Sequence, residues 1–379
     1  MKICAVTASF PRYDCTESGI FVYNLIIGIS KKHEVHVIYP ANLKMPPDNS
    51  EPFYRHEIPY PFKTRPLAQV HGLELINVLP LLISMAREIR RVKRKYNIDL
   101  LHAFWTIPCG FASSFCCGDI PLLTTLEGSD IKVFGRELIS KPPIKRALKQ
   151  SRKIIALSNE LKREAIELGA REDKIHVIPD GVDTSKFKPG DKHVLRAELH
   201  LPEGFLVLFV GYLYKLKRVD RLIKASANLS KDFEFHVVIA GDGPERQNLE
   251  RLAESLGLKT ILFKGSVAHE DMPSYMAASD VLVLPSETEG LPTCVQEAMA
   301  CGIPVVASNV GGLPDLITNE ITGYLANDEI ELEGHLRRIM SSPESVSLMG
   351  TNALNFARKN LSLDSVVERI EEVYASVSL

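Results

Sequence analysis

The sequence predicts an α/β protein of two parallel-sheet domains, and three observations carry that expectation. Residues 280–307 run as an apolar strand (Asp280–Leu284), a glycine-bearing loop, a helical run (Thr293 to Ala300) and a second apolar strand (Ile303–Ala307), which is the wiring of a parallel α/β unit. The same order begins at Ile3–Ala8, where a strand leads through the polar loop Ser9 to Ser18 and Gly19 into the amphipathic segment Ile20–Ile29. The chain has 379 residues, enough for two domains of ordinary size, and it is electrically divided. Residues 1–190 hold 28 Lys and Arg against 20 Asp and Glu, whereas the remainder holds 17 against 27. A basic first half and an acidic second half point to different partners.

Composition narrows the class. With 24% charged and 45% apolar residues the chain reads as a soluble globular protein. Seven scattered cysteines without a CxxC pair form neither a disulfide framework nor a zinc site, so a reducing cytoplasm is the expected location. The N-terminal MKICAVTASFP has too short an apolar run for a signal peptide. The longest later apolar stretch, Ile76 to Ala86, is interrupted by Pro80 and falls short of the ~20 residues that span a bilayer. No nucleic-acid partner is expected.

The chemistry concentrates between Pro285 and Gly312, in PSETEGLPTCVQEAMACGIPVVASNVGG. Glu289 lies in the loop before the helical run, and Glu297 lies about one turn inside it. Gly290, Leu291, Pro292 and Thr293 separate them at a helix start, and such an end attracts phosphate through its free N–H groups. In a parallel sheet this loop stands at the carboxyl ends of the strands, where ligands bind. Carboxylates suit sugar hydroxyls rather than phosphate. A ligand that places hydroxyls on both sides of a diphosphate therefore fits, and a nucleotide-sugar has that layout. The plainer reading is a crossover whose acids only favour a helix start.

The pattern PSxxEGxxxxxxEAMAxGxPVVAxxxGG resembles the donor-site signature of the retaining family 4 glycosyltransferases, whose fold is GT-B. The resemblance implies two facing Rossmann-like domains with an interdomain cleft. The acceptor domain would span 1–187 with a returning helix at 361–379, and the donor domain 188–360. It implies that Glu297 binds ribose hydroxyls and Glu289 hexose hydroxyls, that the backbone at Gly290, Leu291, Pro292 and Thr293 meets the diphosphate, and that no metal or other cofactor is needed. No paired-aspartate DxD site is present.

In chain order, Gly19 is the second of two loop positions that the family fills with glycine, and Ser18 stands at the first. A diphosphate contact and a plain turn glycine are balanced there. His33 and His36, at the start of the second strand, read as structural. Residues 41–70, rich in proline and aromatics, read as an irregular insertion or an acceptor-side loop. Gly72 to Tyr96 reads as one helix with a basic tail, and Arg87–Lys95 is either a solvated face or a peripheral contact with an anionic membrane surface. His102, in the strand Asp99–Phe104, matches a family histidine on the acceptor side. Glu127 ends the strand Leu122–Glu127, where many relatives have a histidine that reaches the transferred sugar. It would accept from a sugar hydroxyl or be neutral and structural. Asp130 completes a family-like GxD. Ile154–Ser158 reads as a strand, Leu161–Leu168 as a helix ended by Gly169, and Lys174–Val182 as the last strand of the half, with Asp180 where the family has asparagine.

The second half opens with the strand Phe205–Gly211 and a helix from Asp220 to Leu229. The family pattern GRLxxxKG appears with Tyr212 in place of arginine, Lys217 on the lysine and Arg218 in place of glycine. By the resemblance Lys217 neutralises the leaving phosphate, with Lys215 or Arg218 as the second cation. Gly241 begins the family-like GDGP after the strand Phe235–Ala240, and Val267 and Ala268 follow Ile261–Gly265 where the family backbone meets the base. The chain ends in helices at Ala353 to Asn360 and Leu363 to Ala375. The function expected is hexosyl transfer from a UDP-, GDP- or ADP-sugar to a hydroxyl of a glycan, lipid-linked or small-molecule acceptor, with Glu289, Lys217 and Glu127 carrying the chemistry. The alternatives are a nucleotide-sugar epimerase or hydrolase, and a binding protein without turnover.

Overall fold

A computed structural model describes residues 1–11, 19–41, 50–59, 78–132 and 134–377. The chain divides into two compact units, Met1–Asp180 with Leu363–Leu379, and Gly181–Ser362. The division falls after Asp180, seven residues before the boundary read from the sequence.

The first unit carries a seven-stranded sheet in the order β3-β2-β1-β4-β5-β6-β7. Its strands are β1 (Lys2–Val6), β2 (Glu34–Ala41), β3 (Tyr54–Pro59), β4 (Leu100–Phe104), β5 (Leu122–Leu126), β6 (Lys153–Ala156) and β7 (Ile175–Val177). All neighbouring strands pair parallel. Near-continuous apolar strands such as β1 and β4 follow, because a parallel sheet is covered on both faces. One face packs on α1 (Ile20–Ser30) and on the C-terminal helix Leu363–Val377, which buries Val366, Ile370, Val373 and Tyr374. The other face packs on α2 (Leu79–Tyr96), whose Leu81, Met85, Ile89 and Val92 repeat at helical spacing. Asn97 closes α2 in the left-handed region at φ 54°. Residues 72–77 of the helix read from the sequence lie outside the described residues.

Strand β3 falls within 41–70 and corrects the irregular reading for that part. Its inward positions are His56 and Ile58, so one apolar slot is filled by a histidine and the alternation is muted. The histidine is accommodated because His36 Nδ1 lies 3.0 Å from His56 Nε2 and the Tyr96 ring packs beside both. Burial next to His36 pushes His56 down to about 4, so the pair is neutral at physiological pH.

The second unit carries a six-stranded parallel sheet in the order β10-β9-β8-β11-β12-β13. Its strands are β8 (Phe205–Val210), β9 (Phe235–Ala240), β10 (Ile261–Gly265), β11 (Val281–Leu284), β12 (Val305–Ser308) and β13 (Gly323–Ala326). Strand order reverses between β8 and β11, and the loops leaving those two strands flank the crevice where such sheets bind ligands. They carry Lys217 and Glu289.

Candidate functional site

The helix after β11 spans Thr293–Ala300, as read from the sequence. Its N-cap is Pro292 at φ −68°, and no side chain caps it. Proline has no amide proton, so Pro292 orients the helix rather than donating, and of the first-turn amides Val295 N turns back onto Pro292 O at 3.2 Å while those of Thr293 and Cys294 precede any i−4 acceptor in the helix. The preceding loop is tied down on two sides. Glu287 N donates to Leu216 O at 2.8 Å, and Gly312 N donates to Gly290 O at 2.7 Å. Gly311 sits at φ +67°, and a Cβ there would meet Glu289 O at 2.3 Å, which explains the first glycine of the pair after β12. Leu291 is buried beneath this turn.

Each glutamate meets a basic side chain from a different loop. Lys217 Nζ donates to Glu289 Oε1 at 2.8 Å, and the Glu289 side chain is only 8% exposed. His269 Nε2 lies 3.2 Å from Glu297 Oε1. Sequence reasoning misses His269, although its place directly after Val267 and Ala268 is a signal. Ala268 O accepts from Asp271 N and Met272 N, which fixes that turn. Cys294, also missed, lies close enough to feel Lys217, Glu289 and Glu297, and burial pushes its thiol up to about 12. It is a neutral wall of the site.

Lys217 ends a short 3-10 turn, and the next residue, Arg218, adopts the left-handed region at φ 48°. The backbone thus keeps the conformation that glycine would favour. Arg218 is committed to Asp220 at 3.0 Å and Glu329 at 3.2 Å, while Lys215 is exposed. Tyr212 is 52% exposed, with its ring 4.4 Å from that of Tyr214. Gly241 is explained by packing, since a Cβ would strike Gly211 O at 1.9 Å. Gly19 is similar in the first unit, at φ +65°, where a Cβ would come within 2.3 Å of Ser9 O. The turn-glycine reading accounts for both.

The remaining expected residues lie in the first unit. His102 is fully buried, with Nδ1 2.8 Å from Tyr374 Oη and Nε2 2.8 Å from Thr125 Oγ1. Burial drives it down to about 3. Both nitrogens are used by the core, so the acceptor-side reading of His102 is corrected to a structural one. Asp130 is fully buried and staples two loops, accepting from Thr106 N at 2.7 Å, Gly128 N at 3.0 Å and Glu127 N at 3.2 Å. It positions Glu127 rather than facing a ligand. Glu127 has a buried Oε1 without a hydrogen-bond partner among the described residues. Burial, then the neighbouring Asp180 and Asp130, hold its carboxyl well above the usual range. Asp180 itself is pushed up to about 7 by burial.

Comparison with known proteins converges on one family. Residues 18–186 match the family model described as Glycosyltransferase Family 4, and residues 191–356 match Glycosyl transferases group 1. The N-acetyl-alpha-D-glucosaminyl L-malate synthase of Bacillus anthracis is 27% identical over 356 residues, covering 91% of this chain and 90% of that protein. Among solved structures, sucrose-phosphate synthase from Thermosynechococcus elongatus superposes with a TM-score of 0.81 at 20% identity, covering 99% of both chains. Anabaena HepE, solved in complex with UDP-glucose, gives a TM-score of 0.74 at 20% identity over 99% of this chain and all of the other. With two parallel-sheet units of GT-B type and matched models over both, the chain belongs to the family 4 glycosyltransferases and is a sugar-transferring enzyme.

Proposed function

We propose that the protein transfers a hexosyl group from a nucleotide-diphosphate sugar to an acceptor hydroxyl, with retention of anomeric configuration and without a metal. The observation that carries the reading is the Lys217–Glu289 contact of 2.8 Å beside the uncapped start of the Thr293–Ala300 helix. An ammonium and a helix amino end together suit a diphosphate. Glu289 accepts from hexose hydroxyls, and Glu297, inside the helix, accepts from ribose hydroxyls. The UDP-glucose bound by Anabaena HepE supports a donor of this class.

In the transfer, the bond between the anomeric carbon and the phosphate oxygen breaks while the acceptor oxygen bonds that carbon on the same face. The acceptor proton passes to the departing phosphate. Lys217 and the helix amides stabilise the charge that develops there, and each preorganised donor of this kind contributes ~3–4 kcal/mol. These positive groups supply what a metal would otherwise supply, so chelation is expected to leave turnover unchanged.

The test is Glu289→Ala, which should lose transfer while still binding nucleotide in calorimetry. Wild-type turnover by this variant would refute the assignment. Product NMR reports the anomeric configuration. A thermal-shift ranking of UDP-, GDP- and ADP-sugars names the donor, because a ligand raises stability in proportion to RT ln(1 + [L]/Kd).

The acceptor reading extends to a lipid-linked glycan at an anionic membrane surface. On α2, Leu79 and Ile83 are exposed, and they continue into the exposed Arg87, Arg90, Arg91, Arg94 and Lys95. Apolar residues running into basic ones on one helix favour an interfacial position. No helix among the described residues is long and apolar enough to cross a membrane. Anionic liposomes should retain the protein at low salt and release it at high salt.

A further inference from the structure

Glu297 accounts for the ribose end of the donor only if its carboxylate is held in place, and a carboxylate on a stem of two methylenes is free to rotate unless something fixes it. The structure supplies a fixing group. We propose that His269 is a positioning residue that fixes the Glu297 carboxylate for the vicinal diol of ribose, and thereby makes the enzyme select ribonucleotide over deoxyribonucleotide donors. This rests on the donor reading above and adds to it the residue that sets the sugar specificity of the nucleotide.

Three observations converge. His269 Nε2 lies 3.2 Å from Glu297 Oε1, which engages one carboxylate oxygen and leaves the second for a ligand. The Glu297 side chain is 12% exposed, so it meets a ligand along one narrow approach. The histidine is itself braced. Its ring stands edge-on to Phe187 at 5.6 Å and 67°, and Phe187 is 2% exposed. Its turn is held by Asp271 N and Met272 N on Ala268 O at 3.0 and 3.2 Å. The contact thus runs from a buried aromatic through an imidazole to a carboxylate. The arrangement mirrors Lys217 on Glu289, but with a different purpose. Lys217 brings charge to the phosphates, whereas His269 brings orientation to a group that must accept two hydroxyls at once.

Freezing an unrestrained glutamate side chain on binding weakens affinity by roughly tenfold, and a preformed contact removes that loss. The gain applies only to a ligand that uses the carboxylate. A nucleotide without ribose hydroxyls has nothing to gain from it.

The experiment measures calorimetric Kd values for UDP, GDP and ADP and for their 2′,3′-dideoxy counterparts, on wild type, His269→Ala and His269→Gln. Wild type should bind one ribonucleoside diphosphate well and its dideoxy form more weakly. His269→Ala should bind that ribonucleotide about tenfold more weakly and the dideoxy form unchanged, and His269→Gln, which retains an amide donor near the Nε2 position, should recover most of the loss. Unchanged ribonucleotide binding by His269→Ala would overturn the inference. So would an equal loss for both nucleotide forms, which would make His269 a base or packing contact. If wild type binds none of the three diphosphates, the donor reading itself fails, and a melting temperature for His269→Ala near that of wild type separates either result from misfolding.

Discussion

Both sheets place acidic side chains beyond the carboxyl ends of their strands, and they treat them in opposite ways. In the second unit Glu289 touches Lys217 and Glu297 touches His269. In the first unit Glu127 has Asp130 and Asp180 as its charged neighbours, and no cation figures among the groups that shift the three. Acids held by a base are the ones proposed above to meet sugar hydroxyls beside a phosphate. Burial instead pushes Glu127 and Asp180 toward the protonated form, and its acidic neighbours push Glu127 further the same way. The contrast is one of chemistry as much as of charge. The paired acids belong to the proposed donor site, and the unpaired side carries a buried Glu127 carboxyl oxygen without a hydrogen-bond partner among the described residues.

The strongest way to break the paired side is Lys217→Ala. It removes a cation that contacts Glu289, whose carboxylate is only 8% exposed. Turnover should fall by about 10²–10³, the loss typical for one preorganised donor to a developing negative charge. Steady-state kinetics with a saturating donor checks this, and a kcat close to that of wild type would mean that the phosphate charge is met elsewhere. Lys217→Arg should recover part of the loss, since it restores the charge with altered geometry.

The unpaired side is sharpened by Asp180→Asn. The folded carboxyl is pushed up to about 7 by burial, above its ordinary value near 3.8. The folded state therefore holds a proton that the unfolded state has already released between about pH 4 and 7. Stability of the wild type falls as pH rises through that window, and the loss is complete above it. Asn removes the titration and relieves Glu127 as well. Above pH 7 the variant should be more stable than wild type by on the order of 2 kcal/mol, with the gap closing toward pH 4. Urea unfolding across about pH 4 to 8 checks this, and parallel pH profiles for the two proteins would show that the acids are ordinary and solvated.

The same division explains what was legible in the sequence. The Thr293–Ala300 helix, its flanking strands and the two glutamates were readable because apolar periodicity and local spacing encode them. Fold class was readable for the same reason. His269 and Glu297 lie 28 positions apart, and Glu127 and Asp180 lie 53 apart, so those pairings exist only once the first sheet sets β5, β6 and β7 side by side and the second brings the loop after β10 to the helix after β11. Asp180 was visible as a departure from the family pattern, but its effect on Glu127 was not. His102 misled because a buried histidine with two protein partners looks, in a one-dimensional pattern, like a ligand contact. Strand β3 hid behind His56, a polar letter in a core position.

The smallest expected effect tests that misreading. Tyr374, on the C-terminal helix Leu363–Val377, places its hydroxyl 2.8 Å from His102 Nδ1 inside the first unit's core. Tyr374→Phe keeps the ring, which stands edge-on to His102 at 5.7 Å, and removes only the hydroxyl. One buried imidazole nitrogen then loses its partner, at a cost of about 1–2 kcal/mol. The variant should unfold at lower urea with an unchanged slope, and its Kd for nucleotide should match wild type, because the residues proposed to hold the donor lie in the second unit. A loss of transfer at saturating donor without a loss of stability would return His102 to the acceptor side and erase the distinction between a core histidine and a binding one.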